Sequence, residues 1–340
     1  MNDVRFGVIG CGFWSQYQLA AWIEIEGVEL AGLYNRTRSR AQALAARHGN
    51  PPLFGSAEEL LSQGELDFVD IITSVETHAA FTELAARFGV DVICQKPMAR
   101  DLAECERMVA ACQSASVQLI IHDNWRWQAP IRAFAEALRD SGVGEPFRAT
   151  VTYCNSFPVF QNQPFLAELE QFILMDMGTH ILDTVRFLFG EATSVYCQTA
   201  SVTPGIRGED VATLSLRMAS GVHCQVVLSY ASQWSADRFP GTYLCAECAG
   251  GAVELGPGRQ LAITHGGSTR TARVEVPGFS WADRQYELVH ASIAVAQRDF
   301  LGVLRGEIAP ETSGEQYLET MKLVQAAYES AQRNRVVALR

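Results

Sequence analysis

The sequence predicts an α/β protein in which a doubly wound parallel sheet is followed by a second α/β domain with a largely antiparallel, open sheet. Over residues 1–123, apolar strands alternate with helical segments, which is typical of parallel βαβ units. Beyond this point, short strand-like stretches are separated by turn signals, which is typical of antiparallel sheets. We therefore expect one domain over residues 1–123 and a second over residues 124–340, with the C-terminal helix able to pack back on the first.

The composition indicates a globular protein without a nucleic-acid partner. Hydrophobic residues make up 48% of the 340-residue chain, charged residues make up 19%, and the formal net charge is −11. Because nucleic-acid-binding domains carry clustered Lys and Arg, this acidic balance argues against such a partner. No apolar run reaches the roughly 18 to 20 residues of a membrane span, and the N-terminus lacks the order of a signal peptide. We expect a cytoplasmic protein with no membrane partner.

The cysteines indicate a reducing compartment. There are nine, and an odd number scattered through predicted helices and strands fits reduced thiols better than a disulfide framework. Cys245 and Cys248 form the one close pair. Because no second pair of Cys or His stands near them at zinc-ligand spacing, we predict no metal site.

The opening segment predicts a phosphate-binding turn. An apolar strand precedes it, and a helical pattern and a second strand follow it. Gly10 would form the tight turn, Gly12 would let the backbone approach a pyrophosphate, and Ser15 is small enough for close packing of helix on strand. The anion would then lie at the positive end of the helix. We assign the turn to a dinucleotide, together with Phe13 and Trp14.

The end of the second strand predicts which dinucleotide binds. An NAD enzyme carries an acidic residue here, which hydrogen-bonds the ribose 2′-hydroxyl. This chain has Asn35, and the donors of Arg36, Thr37 and Arg38 that follow are suited to a 2′-phosphate. We assign these four residues to the cofactor and favour NADP, with NAD as the other candidate. In the alternative interpretation, Thr37 caps a helix and the arginines are only solvated.

The rest of the first domain continues the alternation of helices and strands. We predict helices at about 56–61, 77–88 and 102–115, and strands at about 67–72, 91–94 and 117–121. The carboxyl ends of parallel strands meet at one edge of the sheet, where ligands bind. The polar residues that follow these strands are Thr73, His78, Gln95, Lys96, Asn124 and Arg126.

The second domain is predicted from short strands between turns. A helix at about 130–141 is followed by strands at about 147–154, 194–201, 211–218, 222–230, 242–246, 251–254 and 261–264, and by helices at about 282–304 and 314–333. Tyr153 lies in the first of these strands and could stack on a sugar ring, although large aromatic residues at a domain junction more often pack in the core. We assign substrate binding to Asn124, Arg126 and Tyr153.

Lys96 is the first candidate for chemistry. It follows a buried strand and precedes a proline, so its amine would be held at the ligand end of the sheet. A lysine there can hydrogen-bond a substrate oxygen and stabilise charge that develops on it. The alternative is a solvated surface lysine.

A second candidate comes from spacing further along the chain. If residues 176–183 are helical, Asp176, His180 and Asp183 share one face, because they stand at i, i+4 and i+7. A carboxylate four residues before an imidazole can orient the ring and raise its basicity, as a general base requires. The alternative is a polar structural cluster beneath the second sheet.

Taken together and in this order, the motifs resemble those of the Gfo/Idh/MocA oxidoreductases, the family of glucose-fructose oxidoreductase and inositol dehydrogenase. The resemblance covers nearly the whole chain and is more specific than any single motif. The motifs are Gly10-Cys11-Gly12, Thr73 with His78, Gln95-Lys96-Pro97, and Asp176-x-Gly178-x-His180-x-x-Asp183.

The resemblance implies an N-terminal Rossmann domain and a C-terminal domain whose sheet forms homodimers or homotetramers. It implies that Lys96 contacts nicotinamide and substrate, that His180 is the acid/base with Asp176 as its partner, and that Asp183 binds substrate. Two further residues, Thr73 and His78, would line the nicotinamide side. The chain departs from the family at Gln95, where Glu is usual, and at Asn35, where an acid is usual.

These observations predict an NAD(P)-dependent dehydrogenase that transfers hydride between a nicotinamide and a hydroxyl or keto carbon of a sugar, cyclitol or related polyol. We expect the alcohol in a cleft between the domains, where His180 takes the hydroxyl proton while Lys96 hydrogen-bonds the same oxygen. One alternative is a redox-assisted glycosidase that oxidises its sugar transiently with a tightly held nicotinamide. Another is a non-catalytic regulator that senses the dinucleotide, against which the presence of Lys96, Asp176 and His180 weighs.

Overall fold

In a computed structural model of the protein, residues 3–235 and 239–339 are described. They form two compact units. The first unit contains the described residues up to Asn124 together with Phe279–Asp283 and Ile293–Met321. The second contains Trp125–Gly278, Arg284–Ser292 and the described residues from Lys322 onward. The sequence-based boundary after residue 123 stays a prediction.

The first unit is built on a five-stranded sheet in which every neighbouring pair is parallel. The strand order is β2-β1-β3-β4-β5, so the direction in which the chain adds strands reverses between β1 and β3. Ligands of doubly wound sheets bind at the carboxyl ends of the strands next to such a reversal. The strands are β1 Val4–Ile9, β2 Val28–Tyr34, β3 Phe68–Ile71, β4 Asp91–Gln95 and β5 Leu119–His122.

Helices connect these strands, and side-chain caps define where two of them begin. Ser56 accepts a hydrogen bond from the backbone of Glu59, and Asp101 accepts one from Glu104. Both arrangements satisfy an otherwise unpaired amide in the first turn. The helix α2, which the sequence offered only in the alternative interpretation of the loop, begins after Thr37 as N-cap, and the Thr37 side chain makes no capping hydrogen bond. The helices are α1 Ser15–Ile23, α2 Arg38–Ala45, α3 Ala57–Gln63, α4 His78–Arg87 and α5 Leu102–Ala115.

Aromatic rings form the core between β1, β3 and α1. The rings of Phe6 and Phe68 stack with centroids 5.2 Å apart, and the ring of Trp22 lies 5.1 Å from that of Phe68. The indole nitrogen of Trp22 donates to Oδ2 of Asp70 at 2.9 Å. Asp70 is fully buried, and desolvation raises the pKa of its carboxyl to about 7.

The second unit is built on a nine-stranded sheet with the order β13-β12-β11-β10-β6-β9-β8-β7-β14. Neighbouring strands are antiparallel except for the parallel pair β6 and β9. The largely antiparallel sheet predicted from the sequence is therefore confirmed, whereas β13 and β14 were not predicted. The strands are β6 Pro146–Cys154, β7 Ala192–Ala200, β8 Val211–Met218, β9 His223–Ser229, β10 Tyr243–Cys248, β11 Gly251–Gly256, β12 Gln260–His265, β13 Ser268–Arg273 and β14 Val337–Ala338.

Helices of the second unit pack on this sheet and carry candidate site residues. A π-helical turn, Leu174–Gly178, runs directly into α8. The predicted helix at 282–304 begins later than expected, because Arg284–Tyr286 forms a 3₁₀ turn. The helices of this unit are α6 Ala129–Asp140, α7 Val159–Asn162 and α8 Thr179–Phe189, and two later helices, α9 Glu287–Leu304 and α10 Gly314–Arg333, are divided between the two units.

The helices α9 and α10 each contribute residues to both units. Within the first unit, Ser313 forms a β-bridge with Ile120 of β5. The hydroxyl of Tyr317, in α10, donates to Oδ2 of Asp123 at 2.7 Å. Residues from near the end of the chain therefore complete the edge of the first sheet.

Two further properties concern the whole described chain. Across residues 3–235 and 239–339, no helix combines the length and apolar character that crossing a membrane requires. All nine cysteines are free thiols, and burial raises the pKa of each above its ordinary value.

Candidate functional site

The glycine turn after β1 has the shape that a dinucleotide requires. Gly10 has a φ of +107°, and a Cβ there would lie 2.5 Å from the carbonyl oxygen of Ile72. Only glycine fits this position, because both the backbone conformation and the space exclude a side chain. At Gly12, no described atom lies within 4 Å of the position that a Cβ would occupy, so the backbone faces open space. The turn therefore fits a bound pyrophosphate at the start of α1.

Next to this turn, Asn35 links the two loops that were predicted to bind the cofactor. Its Oδ1 accepts from the backbone amide of Cys11 at 2.9 Å, and its Nδ2 donates to the carbonyl of Thr37 at 2.9 Å. An aspartate could make the first bond but not the second, since a carboxylate has no donor. Arg36 and Arg38 are exposed beside it. The loop thus presents two guanidinium groups without a carboxylate.

Phe13 and Trp14, also predicted to bind the cofactor, start an aromatic cluster on α1. Their rings lie 5.2 Å apart in an edge-on arrangement, and the ring of Tyr17 lies 5.5 Å from that of Phe13. Phe13 is 49% exposed, which is unusual for a large apolar side chain. The half-exposed ring of Phe13 therefore lies next to the glycine turn.

His78 connects the ends of β3 and β4. One ring nitrogen lies 2.9 Å from the carbonyl oxygen of Pro97 and the other lies 3.2 Å from that of Thr73. Burial lowers the pKa of His78 below its ordinary value, so the ring is neutral at pH 7 and donates to one carbonyl at a time. His78 therefore fixes the turn that carries Lys96, and Thr73 lies at the same edge.

Lys96 and Gln95 stand together at the end of β4. Oε1 of Gln95 accepts from the backbone amide of Lys96 at 2.8 Å, which orients the first residue of the turn. A glutamate at position 95 would place a negative charge beside the lysine, and the neutral amide does not. Asn124, the last residue of the first unit's opening segment, is 7% exposed.

In the second unit, Asp176 and His180 lie on either side of the junction between the π-helical turn and α8. Asp176 is in the π-helical turn and His180 is in the first turn of α8. The sequence predicted one continuous α-helical face, and the structure differs because the wider π turn changes the spacing before Thr179. π-helical turns occur often at functional sites.

His180 is positioned by an aromatic neighbour at the start of the second unit. The ring of Trp125 stacks on its imidazole, with centroids 4.7 Å apart and 27° between the planes. The indole nitrogen of Trp125 donates to the hydroxyl of Thr242 at 2.9 Å, which fixes the indole in turn. Tyr153 packs edge-on against the same indole at 5.8 Å. The structure therefore brings two predicted site residues, His180 and Tyr153, to one tryptophan.

Asp176 receives a hydrogen bond that the sequence did not predict. The hydroxyl of Tyr230 donates to its Oδ2 at 3.3 Å. Burial raises the pKa of Tyr230 well above its ordinary value, and Tyr153 and Asp176 raise it further, so the phenol stays protonated and can donate. Burial also raises the pKa of Tyr153, whose ring lies 5.8 Å from that of Tyr230.

Arg126 and Asp183, both predicted to bind substrate, bind each other. Nε and Nη2 of Arg126 donate to the two carboxylate oxygens of Asp183 at 2.7 and 2.6 Å. Both side chains are almost fully buried, with 8% and 1% exposure. A buried bidentate pair of this kind fixes the orientation of both partners. The pair of Arg126 and Asp183 therefore anchors α8, the helix that carries His180. Substrate binding by these two residues stays a prediction.

A buried carboxylate holds the start of the π-helical turn, and sequence reasoning missed it. Oε1 of Glu209 accepts from the backbone amides of Phe172 and Leu174, both at 3.2 Å, and from the hydroxyl of Tyr328 at 2.8 Å. The same hydroxyl accepts from the amide of Met175 at 3.2 Å. Because these residues are distant in sequence, no local spacing could have identified them.

Within residues 3–235 and 239–339, no group of three or more His, Cys, Asp or Glu side chains is arranged to hold a metal ion. Cys245 and Cys248, the close pair in the sequence, lie together on β10.

Comparisons with known proteins agree along the whole chain. A family model described as "Oxidoreductase family, NAD-binding Rossmann fold" (GFO_IDH_MocA) matches residues 4–122. A second model, the GFO/IDH/MocA C-terminal domain, matches residues 131–240. The first match covers the strands of the parallel sheet, the second covers part of the second unit, and residues 241–340 lie outside both matches.

Similar proteins include two D-apiose dehydrogenases. One, from Paraburkholderia graminis, is 43% identical over 98% of this chain and 89% of its own length. The other, from Rhizobium rhizogenes, is 36% identical over 99% of this chain and 98% of its own length. A solved oxidoreductase from Agrobacterium radiobacter, in complex with NAD+, L-tartaric acid and magnesium, is 36% identical with a TM-score of 0.96, covering 99% of this chain and 98% of that one.

Proposed function

The chain belongs to the Gfo/Idh/MocA oxidoreductase family, and from that membership we propose that it is a dehydrogenase of an aldose such as D-apiose. NAD(P)-dependent oxidoreduction of a sugar or polyol is the activity common to its close relatives. The two D-apiose dehydrogenases match it over nearly its whole length at 43% and 36% identity. D-Apiose is therefore the first substrate to test.

We propose NADP as the preferred cofactor. The observation behind this preference is the loop after β2, where Asn35 replaces an acid and the exposed Arg36 and Arg38 can pair with a 2′-phosphate. NAD is the other candidate, since the Agrobacterium radiobacter structure contains NAD+. The residues that would hold the dinucleotide are those of the glycine turn, where Gly10 admits no side chain and Gly12 leaves space for the pyrophosphate.

We propose Lys96, Asp176 and His180 as the catalytic residues. When bound, the cofactor supplies the hydride-accepting ring, and the chain supplies positioning and proton transfer. His180 accepts the substrate hydroxyl proton on a ring nitrogen, while Trp125 holds the plane of the imidazole. Lys96, at the carboxyl end of β4, donates a hydrogen bond from Nζ to a substrate oxygen and stabilises the charge that develops on it. In the reverse direction, His180 returns the proton.

Asp176 assists this proton transfer electrostatically. Its carboxylate, oriented by the hydroxyl of Tyr230, is the proposed partner of His180 in this step. The observation that carries the proposal is the placement of His180 at a stacked, buried position one turn after this carboxylate, at a π-helical junction.

The test is a turnover assay with the purified full chain. D-Apiose, other aldoses and cyclitols are each supplied with NADP+ or NAD+, and absorbance of the reduced nicotinamide is followed. Net formation of reduced cofactor with at least one aldose is expected. Cleavage of glycosides without net reduced cofactor would instead identify the redox-assisted glycosidase.

Matched variants test the residue roles. The chain contains two lysines, Lys96 and Lys322, so Lys322→Ala is a control for Lys96→Ala. His223, an exposed histidine on β9, provides the control for His180→Ala. We expect Lys96→Ala and His180→Ala to lose at least about 100-fold in kcat, in line with the typical contribution of general acid–base groups. Turnover at the wild-type rate in either variant would refute the assignment.

We also propose that the nine-stranded sheet mediates a homodimer or homotetramer. Its outward residues on β8, Thr213, Ser215 and Arg217, are exposed while the alternate residues are buried. This open face is the surface on which a second copy would pack. Light scattering of the purified protein measures the assembly directly, and a monomer would refute the proposal.

A further inference from the structure

Two buried tyrosines and an asparagine lie on one face of two neighbouring strands in the second unit. Strands β6 and β9 are parallel, and Tyr153 of β6 is paired with Leu228 of β9. Paired residues project to the same side of a sheet, and successive side chains alternate between its sides. Asn155 and Tyr230 each follow one of these paired residues by two positions, so they share a side with Tyr153. The amide of Asn155 continues the ladder by donating to the carbonyl of Ser229 at 3.0 Å.

Tyr153 presents no surface to a substrate. Its side chain is 0% exposed, and its ring packs edge-on against both the indole of Trp125 and the ring of Tyr230, each with centroids 5.8 Å away. A sugar ring cannot stack on a residue that has no exposed surface. Any contribution of Tyr153 to the reaction therefore passes through its neighbours.

The hydroxyl and amide groups of this cluster have one consistent direction of hydrogen bonding. Each phenol has a single proton, and Tyr230 donates its own to Oδ2 of Asp176 at 3.3 Å. The oxygen of Tyr230 is then the acceptor for the hydroxyl of Tyr153, and the oxygen of Tyr153 is the acceptor for Nδ2 of Asn155. Burial raises the pKa of Tyr153, and interactions of its hydroxyl with Tyr230 and Asn155 lower it in part, as such neighbours do.

The orientation of the Asn155 amide is fixed from its other side. Its Oδ1 accepts from the backbone amide of Phe157 at 3.0 Å, which leaves Nδ2 as the end directed away from that bond. Within residues 3–235 and 239–339, Nδ2 of Asn155 and the hydroxyl of Tyr153 have no solvent contact and no other hydrogen-bond partner. A buried donor left unpaired costs free energy, and water does not reach these two. Their partners must therefore come from within the cluster.

We propose that Tyr153 is a positioning residue for Asp176, at the centre of a hydrogen-bonded chain that runs from Asn155 through Tyr153 and Tyr230 to the carboxylate. Hydrogen bonds in a chain polarise one another, so the hydroxyl of Tyr153 makes that of Tyr230 a stronger donor. The chain fixes the carboxylate in the π-helical turn that precedes His180. This role rests on the proposed dehydrogenase function, in which Asp176 is the partner of His180.

The test is a double-mutant cycle in the full chain with Tyr153→Phe and Tyr230→Phe, each of which keeps its ring and removes one hydroxyl. We expect Tyr153→Phe to lower kcat about threefold with an unchanged KM, because one neutral hydrogen bond is lost. Since Tyr153 reaches Asp176 only through the hydroxyl of Tyr230, adding Tyr153→Phe to Tyr230→Phe should lower kcat by less than about 1.5-fold further. The control is Tyr196→Phe, which removes an exposed hydroxyl and should leave kcat unchanged.

Three kinetic outcomes would overturn the proposal. A wild-type kcat in Tyr153→Phe would show that its hydroxyl does not serve the reaction. Fully multiplicative losses in the double variant would show that the two tyrosines act independently, as a merely structural role predicts. A raised KM with an unchanged kcat would identify Tyr153 as a substrate contact instead.

Melting temperatures of the same four proteins give a readout that needs no turnover. If the hydroxyls of Tyr153 and Tyr230 are bonded to each other, the loss in the double variant is smaller than the sum of the two single losses. Additive losses would overturn the hydrogen-bonded chain. Coupled melting temperatures in a protein that oxidises no aldose would support the chain and refute the dehydrogenase function, so the two failures are distinguishable.

Discussion

The indole of Trp125 stacks on the imidazole of His180 with ring centroids 4.7 Å apart, and its nitrogen is fixed by the hydroxyl of Thr242. This contact joins the first residue of the second unit to the proposed general base. The position of the imidazole therefore depends on a side chain that donates no proton to the substrate.

We expect Trp125→Leu to lower kcat/KM roughly tenfold, because a stacked aromatic pair is worth about 0.5–1.5 kcal/mol and its loss frees the imidazole to rotate. Thr242→Val keeps the indole and removes one hydrogen bond, so a loss of about two- to fivefold is expected. Steady-state kinetics measure both. Trp125→Phe keeps a stacked ring and should retain most activity. If kcat/KM fell as far in Trp125→Phe as in Trp125→Leu, stacking on His180 would not be the contact that matters for activity.

We expect Tyr230→Phe to lower kcat about fivefold with little change in KM, because it removes the hydrogen bond to Asp176. The control is Tyr196→Phe, which removes an exposed hydroxyl that donates to Asn334. Since burial raises the pKa of Tyr230, its phenol stays neutral up to at least about pH 10. Accordingly, ionisation of Tyr230 should not contribute to the pH dependence of kcat. The pH profiles of the wild type and Tyr230→Phe should have the same shape at alkaline pH.

We expect Glu209→Gln to destabilise the protein by about 1–3 kcal/mol, because the carboxylate holds two backbone amides and the hydroxyl of Tyr328. Since these bonds hold the start of the π-helical turn, kcat should fall as well. Tyr328→Phe removes only one of the partners and should have a smaller effect on both. Thermal unfolding and steady-state kinetics measure the two effects, and an unchanged melting temperature in Glu209→Gln would contradict the prediction.

The buried carboxyl of Asp70 predicts how stability changes with pH. Burial raises its pKa to about 7 in the folded state, from an ordinary value of 3.8. Between these values the folded state binds more protons than the unfolded state, so the free energy of unfolding falls as pH rises from about 4 to about 7. Above about pH 7, titration of Asp70 causes no further change. The effect is on the order of a few kcal/mol.

The measurement is the melting temperature between about pH 5 and pH 8. The decline over this range should be smaller in Asp70→Asn than in the wild type, because an amide does not titrate. Asp140→Asn replaces an exposed carboxylate and should leave the decline unchanged. Equal declines in Asp70→Asn and the wild type would argue against titration of Asp70.

We expect Asn35→Asp to lower the ratio of kcat/KM for NADP+ over NAD+ at least tenfold. The new carboxylate repels a 2′-phosphate and accepts a ribose hydroxyl, and it also loses the bond to the carbonyl of Thr37. Asn50→Asp adds the same charge at an exposed position and serves as the control. An unchanged ratio would place cofactor selection outside this loop.

Much of the fold could be predicted from local patterns. Leu102–Ala115 and Val211–Met218 have the bounds that periodicity predicted. In each, the apolar residues recur at the period of the element, and Asp101 marks the start of the helix. Ser268–Arg273 was missed because it is an exposed edge strand, so it has no buried face to produce alternation.

The candidate site was predictable where local sequence places residues together. Lys96 and Thr73 follow neighbouring parallel strands, so the topology of the sheet brings them to one edge. Glu209 and Tyr230 reach the π-helical turn only through the packing of distant strands, and no spacing along the chain encodes that. The pairing of Arg126 with Asp183 was missed for the same reason, although both residues were singled out.

The edge of the first sheet depends on Ser313 and Tyr317, which belong to the last tenth or so of the chain. During synthesis on the ribosome, these residues emerge long after β5, because translation proceeds from the N-terminus. The nucleotide-binding lobe can therefore reach its finished form only after residues 313–317 have been made. A fragment ending at Asn124 would leave Ile120 and Asp123 without these partners, and it should be a poor substitute for the intact protein in cofactor-binding experiments.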